Sequence, residues 1–173
     1  ESVDKVTNRL DVVSTHGIVT NASDPKAIDS LNMTVRLAAG SGAVSLEDTT
    51  IKYISDTEAK NLVYEDATNS DGTQLQNVSK NTGPSGAGLN DTEYTAVALD
   101  DGDDSSFPVL NGQSDRFELV INASVVEGDS SSGRSTGDTV ELEFTSRSGG
   151  ATQVILTMPQ QLAGKDNNTP VPL

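Results

Sequence analysis

Six runs along this chain alternate apolar and polar residues with a period of two. That period suits a β-strand with one buried face and does not suit a helix. In SLNMTVRLA at 30–38, Leu31, Met33, Val35 and Leu37 point one way while Asn32, Thr34 and Arg36 point the other. In TTIKYIS, Ile51 and Tyr53 alternate with Lys52, and another apolar run spans Tyr94 to Leu99. In RFELVIN, Phe117, Leu119 and Ile121 face away from Glu118, Val120 and Asn122. TVELEFTSR sets Val140, Leu142 and Phe144 against Glu141, Glu143 and Thr145, and TQVILTM sets Val154, Leu156 and Met158 against Ile155.

Clusters of Gly, Ser, Asn and Asp separate the runs, notably at 40–42, 81–91 and 127–138. Short strands punctuated by strong turn chemistry predict an all-β domain, an antiparallel immunoglobulin-like β-sandwich with a closed barrel as runner-up. The first ten residues differ: Val3, Val6 and Leu10 fall on one helical face, so a short α-helical stub over 1–10 precedes the β-domain at 11–173. LDVVSTHGIVT then reads as a strand, and the stretch from Asp56 to Lys80 as an irregular excursion.

The core has to come from few residue types. Cysteine and tryptophan are absent and Phe and Tyr number three each, which leaves Val, Leu, Ile and Ala to build it. Without cysteine there is no disulfide, zinc–thiolate centre or thiol nucleophile. Twenty-six acidic residues against 11 basic ones give a formal charge of −15. Such a chain repels itself at low salt, and molar salt relieves the repulsion by shrinking the Debye length to about 3 Å. The acidity fits a protein of brine and opposes binding to nucleic acid or anionic membranes. No stretch approaches the roughly 20 apolar residues of a transmembrane helix. The chain opens at Glu1 without a Met, as expected of a cut N-terminus.

Enzymatic signatures are missing. The single histidine, His16, sits beside Gly17 in a strand and reads as structural. No nucleophile elbow, paired zinc-binding histidines or phosphate-binding loop occurs. Asp100, Asp101, Asp103 and Asp104 surround Gly102 and could offer oxygens to a hard cation such as calcium, although a solvated acidic turn is the simpler reading. NSDGT at 69–73 resembles part of a calcium loop, but Ala67 and Val78 stand where its first and last ligands belong.

Acceptor sequons for N-linked glycans are more frequent. They start at Asn21, Asn32, Asn77, Asn90, Asn122 and Asn167, among twelve asparagines. Chance at this Ser and Thr content gives roughly two or three. Asn32 and Asn122 fall on the polar faces of their expected strands, and Asn21 and Asn90 fall in turns. The Asn167 sequon is the poorest, because Pro170 follows its Thr169.

The order of these segments resembles the archaellins, archaeal flagellins that build the swimming filament, and in particular those of salt-loving archaea. The resemblance rests on VDKVTNRLDVVSTHGIV, on DSLNMTVRLAAGSGAVSLEDTTIKYIS, on RFELVIN, and on TVELEFTSRSGGATQVILTMPQQL with the short apolar tail VPL. The middle, from Glu65 to about Asn111, carries little of it. The resemblance implies a structural, non-enzymatic subunit whose β-domain packs against other archaellin subunits as the outer sheath of a helical filament. It further implies an apolar helix directly before Glu1, released from a precursor by a prepilin-type peptidase, and N-linked glycans at Asn32, Asn77, Asn90, Asn122 and Asn21. The competing reading is a secreted adhesin or surface-layer β-sandwich module, which shares the acidity, sequons and fold class.

Overall fold

A computed structural model describes residues 9–20, 26–67, 89–101, 105–128, 133–147 and 150–173. The strands are β1 (Leu10–Thr20), β2 (Ala27–Leu37), β3 (Val44–Ser45), β4 (Thr50–Ile54), β5 (Ala59–Tyr64) and β6 (Glu93–Asp100). They continue with β7 (Val109–Leu110), β8 (Arg116–Asn122), β9 (Thr139–Thr145), β10 (Ala151–Thr157) and β11 (Pro170–Pro172). One turn of helix, α1 (Ala123–Val126), follows β8 directly.

Among the described residues, nine strands form one sheet in the order β10-β9-β4-β5-β6-β8-β2-β1-β11, and β3 and β7 pair separately. Every pairing in the large sheet is antiparallel except β5 with β6, where Val63 lies opposite Glu93 and Tyr64 opposite Tyr94. That short parallel pair joins two halves. The alternating residues of both halves meet in a single core: Leu31, Met33 and Val35 of β2 and Leu119 of β8 from one side, Ile51 of β4 and Leu142 of β9 from the other. The sheet also curls far enough that Thr152 Oγ1 of β10 donates to the Leu10 carbonyl of β1 at 2.6 Å. The molecule therefore combines the expected sandwich with the runner-up barrel: two packed layers made by one curled sheet.

The inward positions read from the period of two are buried, with Leu31, Met33, Val35, Phe117, Leu119, Ile121, Val140 and Leu142 all fully so. Removing each such side chain from water contributes about 1.5–3 kcal/mol before conformational entropy is counted. Ile155, expected to face outward, is 62% exposed.

Three features depart from the sequence expectations. Leu10, assigned to the end of a helix, opens β1 opposite Leu37, and the remainder of the expected stub, residues 1–8, lies outside the described residues. The excursion after Asp56 contains a strand, β5, hairpinned to β4 from Ile54↔Ala59 to Ile51↔Leu62. Only Leu62 of β5 is fully buried, so the run AKNLVY lacks a strong apolar alternation. The core is also less purely aliphatic than composition suggests. Tyr53, Tyr94 and Phe117 are among its largest fully buried side chains. Each buried phenol finds a partner: Tyr94 Oη lies 2.7 Å from the Thr49 carbonyl and 3.1 Å from that of Leu46.

Candidate functional site

The sequons divide by exposure. Asn32 lies in the interior of β2, opposite His16 of β1 and Val120 of β8, and is 1% exposed. Its Oδ1 accepts from Ser30 Oγ at 2.6 Å and its Nδ2 donates to Glu118 Oε1 at 2.7 Å. Nδ2, the atom a glycan would take, is therefore engaged inside the sheet, where the sequence reading expected a solvent-facing side chain. The polar face of β2 is dry around Asn32 and opens to solvent only further along, at Arg36. Val120, on that same face, packs with Ala67 and Leu89, while Thr95 beside it is buried and accepts from the Ala67 amide at 3.1 Å.

Asn122 is buried as well. It ends β8 and caps α1, its Oδ1 accepting from Ser124 Oγ at 2.7 Å and from the Val125 amide, and it is 9% exposed. The hydroxyl of its own sequon is thereby turned back onto the asparagine. Such capping stabilises the first turn by about 1 kcal/mol.

Asn90 is the opposite case. It is exposed in the turn before β6, beside an open cleft shared with Asp91, Thr92, Val125 and Gly128. The Glu93 carboxylate receives the Asn90 amide at 3.1 Å and Asn90 Nδ2 at 2.9 Å, both at the surface. Asn167 is exposed too, in the turn that leads through Asn168 to β11. Asn21 and Asn77 lie outside the described residues.

The acidic loop after β6 is partly committed to holding itself. Asp101 accepts from Ser106 Oγ at 3.1 Å and from the Phe107 amide at 2.9 Å. Asp100 stands opposite Arg116 in the β6–β8 ladder. Asp103 and Asp104 lie outside the described residues, as does the NSDGT segment. Among the described residues no three acidic or histidine side chains converge in a way that could hold a metal ion. His16 is a half-buried strand residue opposite Pro172.

Among the described residues, Arg134 gathers three ion pairs in a cluster that was not visible in the sequence. Arg134, 5% exposed, places its guanidinium 2.6 Å from Asp56 Oδ1, 3.0 Å from Asp138 Oδ2 and 3.1 Å from Glu127 Oε1. Tyr53 Oη donates to Glu127 at 2.7 Å and Thr57 Oγ1 donates to its other oxygen. Burial alone would push the Glu127 carboxyl up, but the hydroxyls of Thr57, Tyr53 and Ser55 and the charge of Arg134 outweigh it and hold the group below the usual carboxylate range. Burial likewise works against the charged Arg134, and Asp56 and Glu127 more than restore it. For Tyr53, burial and the neighbouring Glu127 raise the phenol well above its ordinary value. The cluster fastens the β4–β5 turn and the end of α1 to the segment before β9. Its one sequence signal, GRS within a Gly- and Ser-rich stretch, names no partner. This arrangement is a structural clasp; it offers no nucleophile and no open cavity for a substrate.

The same fold and sequence recur in known proteins. The family model described as archaeal-type flagellin matches residues 1–155. Flagellin A1 of Haloferax volcanii is 56% identical over the whole of this chain and 76% of its own length. Flagellin A2 of the same organism is 45% identical, again over the whole chain and 77% of its own length. Among solved structures, the crystal structure of archaeal flagellin FlaB1 from Methanocaldococcus jannaschii aligns over 94% of both chains with a TM-score of 0.71 at 23% identity. The archaeal flagellum of Methanospirillum hungatei strain JF1 aligns over 90% of this chain and 67% of that one, with a TM-score of 0.51 at 14% identity. On the extent of the family match and the identity across its full span, the chain belongs to the archaeal-type flagellins.

Proposed function

We propose that this chain is the solvent-facing β-domain of an archaellum filament subunit, a structural part in motility and not a catalyst. The observation that carries the reading is the 56% identity to a halophile flagellin along the whole chain, joined to the family match over 1–155. The curled sheet, closed over one core and fastened by the Arg134 clasp, supports a structural role. Its partners are other flagellin subunits, and its place is the cell surface, on the extracellular filament.

N-linked glycans belong to the same reading. Exposure at Asn90 and Asn167 supports those two positions, and a bulky sugar there would meet solvent and not the sheet. The test of the whole reading is electron cryo-microscopy of surface filaments from the source cells, together with swimming assays of cells lacking the gene. Helical filaments in which residues 9–173 trace as the outer layer, lost together with motility on deletion, are the expected result. A planar lattice or a non-filamentous stalk containing this chain would hand the function to the surface-module alternative.

A further inference from the structure

The two outer faces of the curled sheet are unlike. Over the middle of β6, β8 and β2 the outer face is already covered by the chain itself: Thr95, Val120 and Asn32 are all 1% exposed or less, and solvent is reached further along, at Leu99 and Arg36. Over β10, β9, β4 and β5 it is open. There a cross-strand row runs Asn61, Lys52, Glu143, Gln153, and the next row places Ile54, Glu141 and Ile155 side by side. One Lys and two Glu are the only charged residues facing outward from these four strands, in a chain whose formal charge is −15.

Exposed aliphatic side chains collect around the same face. Ile155 on β10 is 62% exposed and Val63 on β5 is 50% exposed. Val13 of β1, also 50% exposed, lines a shallow groove with Gln153 across the β1–β10 seam. None of the six sequons falls on these four strands, so the strands themselves offer no acceptor for an N-linked sugar.

We infer that the outer face of β10–β9–β4–β5, centred on Ile155 and Lys52, is the surface by which one copy of this domain seats against a second copy in the filament. The inference rests on the filament reading above and adds the location of the contact. Two copies of charge −15 repel wherever their acidic surfaces meet, and they approach at least cost through a face that is almost neutral and carries no acceptor asparagine. A helical array requires one patch to meet a different patch on the next copy. The aliphatic groups then supply the apolar centre of an otherwise polar contact, with Lys52 at hand for an acidic edge of the neighbour.

The protein has no cysteine, so a single introduced thiol reports one position. Ile155→Cys, Val63→Cys and the control Leu99→Cys, each in the full-length chain, are exposed to a maleimide reagent as intact filaments and as dissociated subunits. Leu99 is 48% exposed on β6, away from the proposed face. Labelling of Cys at 155 and 63 falls at least about tenfold on assembly, as for a thiol removed from water, and labelling at 99 does not. Equal labelling at 155 in filaments and subunits would overturn the contact while leaving the filament reading intact. Failure of the unsubstituted chain to form filaments at all would remove both. A benzophenone maleimide on the thiol at 155 identifies the occupant: crosslinked dimers joined within residues 9–173 of another copy support the proposal. Crosslinks to any peptide outside that range, or to a different protein, overturn it. If Ile155→Cys blocks assembly while the domain melts like the parent, the contact is supported directly, and Val63→Cys supplies the labelling.

Discussion

The Arg134 guanidinium and the Glu127 carboxylate meet at 3.1 Å with 6% and 3% of their side chains exposed. A pair this far from water is expensive to leave half made. Removing one member strands the other, at a cost of about 3–5 kcal/mol, whereas exposed pairs such as Arg147–Asp48 at 3.8 Å contribute little. Arg134→Ala is therefore expected to lower the melting temperature by about 6–20 °C for a domain of this size. Arg147→Ala is expected to leave it nearly unchanged. Thermal unfolding followed by circular dichroism in high salt separates the two; equal small shifts would show that the clasp does not hold the fold.

The same cluster sets a pH dependence with a definite sign. Glu127 is held below the carboxylate range in the folded protein, so between its folded and unfolded values the unfolded chain binds more protons. The contribution of Glu127 is complete above the unfolded value near about 4.3 and disappears as pH falls through the folded value. The stability difference between the parent and Glu127→Gln is thus expected to be widest near neutral pH and to close in acid. Denaturant melts of both proteins across that range provide the check, and a gap that persists undiminished in acid would place the low-pH loss elsewhere.

Much of the fold was legible because the period of two encodes it directly: Leu31, Met33, Phe117, Leu119 and Leu142 are buried where alternation places them. What alternation does not encode is which polar face stays wet. Asn32 and Asn122 are turned away from the core as alternation places them, yet packing around Val120 closes the side of β2 at Asn32 and capping of α1 takes up Asn122. The clasp was illegible for a different reason. Asp56, Glu127, Arg134 and Asp138 are ordinary charges until the β4–β5 hairpin and the segment before β9 bring residues 78 positions apart within 2.6 Å. Of the two sequons exposed among the described residues, Asn90 stands in the turn where the sequence placed it, and Asn167 stands in a turn that the sequence reading did not assign.

Backbone geometry delivers Arg134 to the clasp. Arg134 exchanges two hydrogen bonds with Ile28, at 2.8 and 2.9 Å. Gly133 before it has φ of 109°, and a Cβ there would sit 2.1 Å from the Ile28 carbonyl oxygen. Gly133→Ala combines a disfavoured backbone with a collision that only movement of β2 or of the bridge relieves. Gly40→Ala, also at positive φ but with nothing within 4 Å, suffers the backbone cost alone, about 1–2 kcal/mol. The first substitution is expected to cost clearly more than the second in chemical denaturation, and to speed hydrogen exchange at the Ile28 and Arg134 amides. Equal costs would mean that the bridge yields freely.

Sugar mapping follows from the exposure of each asparagine. Glycopeptides from native filaments are expected to include Asn90 and not Asn32 or Asn122. Asn32→Val should weaken the fold even where no sugar is ever attached. It removes the acceptor for Ser30 and the donor to Glu118 in a buried setting, a loss of about 1–3 kcal/mol. Mass spectrometry of the native protein decides the first part; an Asn32 glycopeptide at high occupancy would require the outer face of β2 to open.

Salt provides the last expectation, because the formal charge of −15 is spread over a domain with few cations to offset it. Raising NaCl from 0.1 M to 1 M shortens the Debye length from about 10 Å to about 3 Å, so repulsion among exposed carboxylates is screened while the short, buried contact of Arg134 with Glu127 is not. The melting temperature should climb steeply across that interval and flatten above it. KCl at the same ionic strength should act alike if screening is the cause. Calcium chloride matched in ionic strength tests the acidic run at Asp100–Asp104 separately. An excess stabilisation at millimolar calcium, abolished by Asp103→Asn with Asp104→Asn, would assign a bound cation to that loop. Superimposable curves for all three salts would assign the whole effect to screening of the domain's own charge.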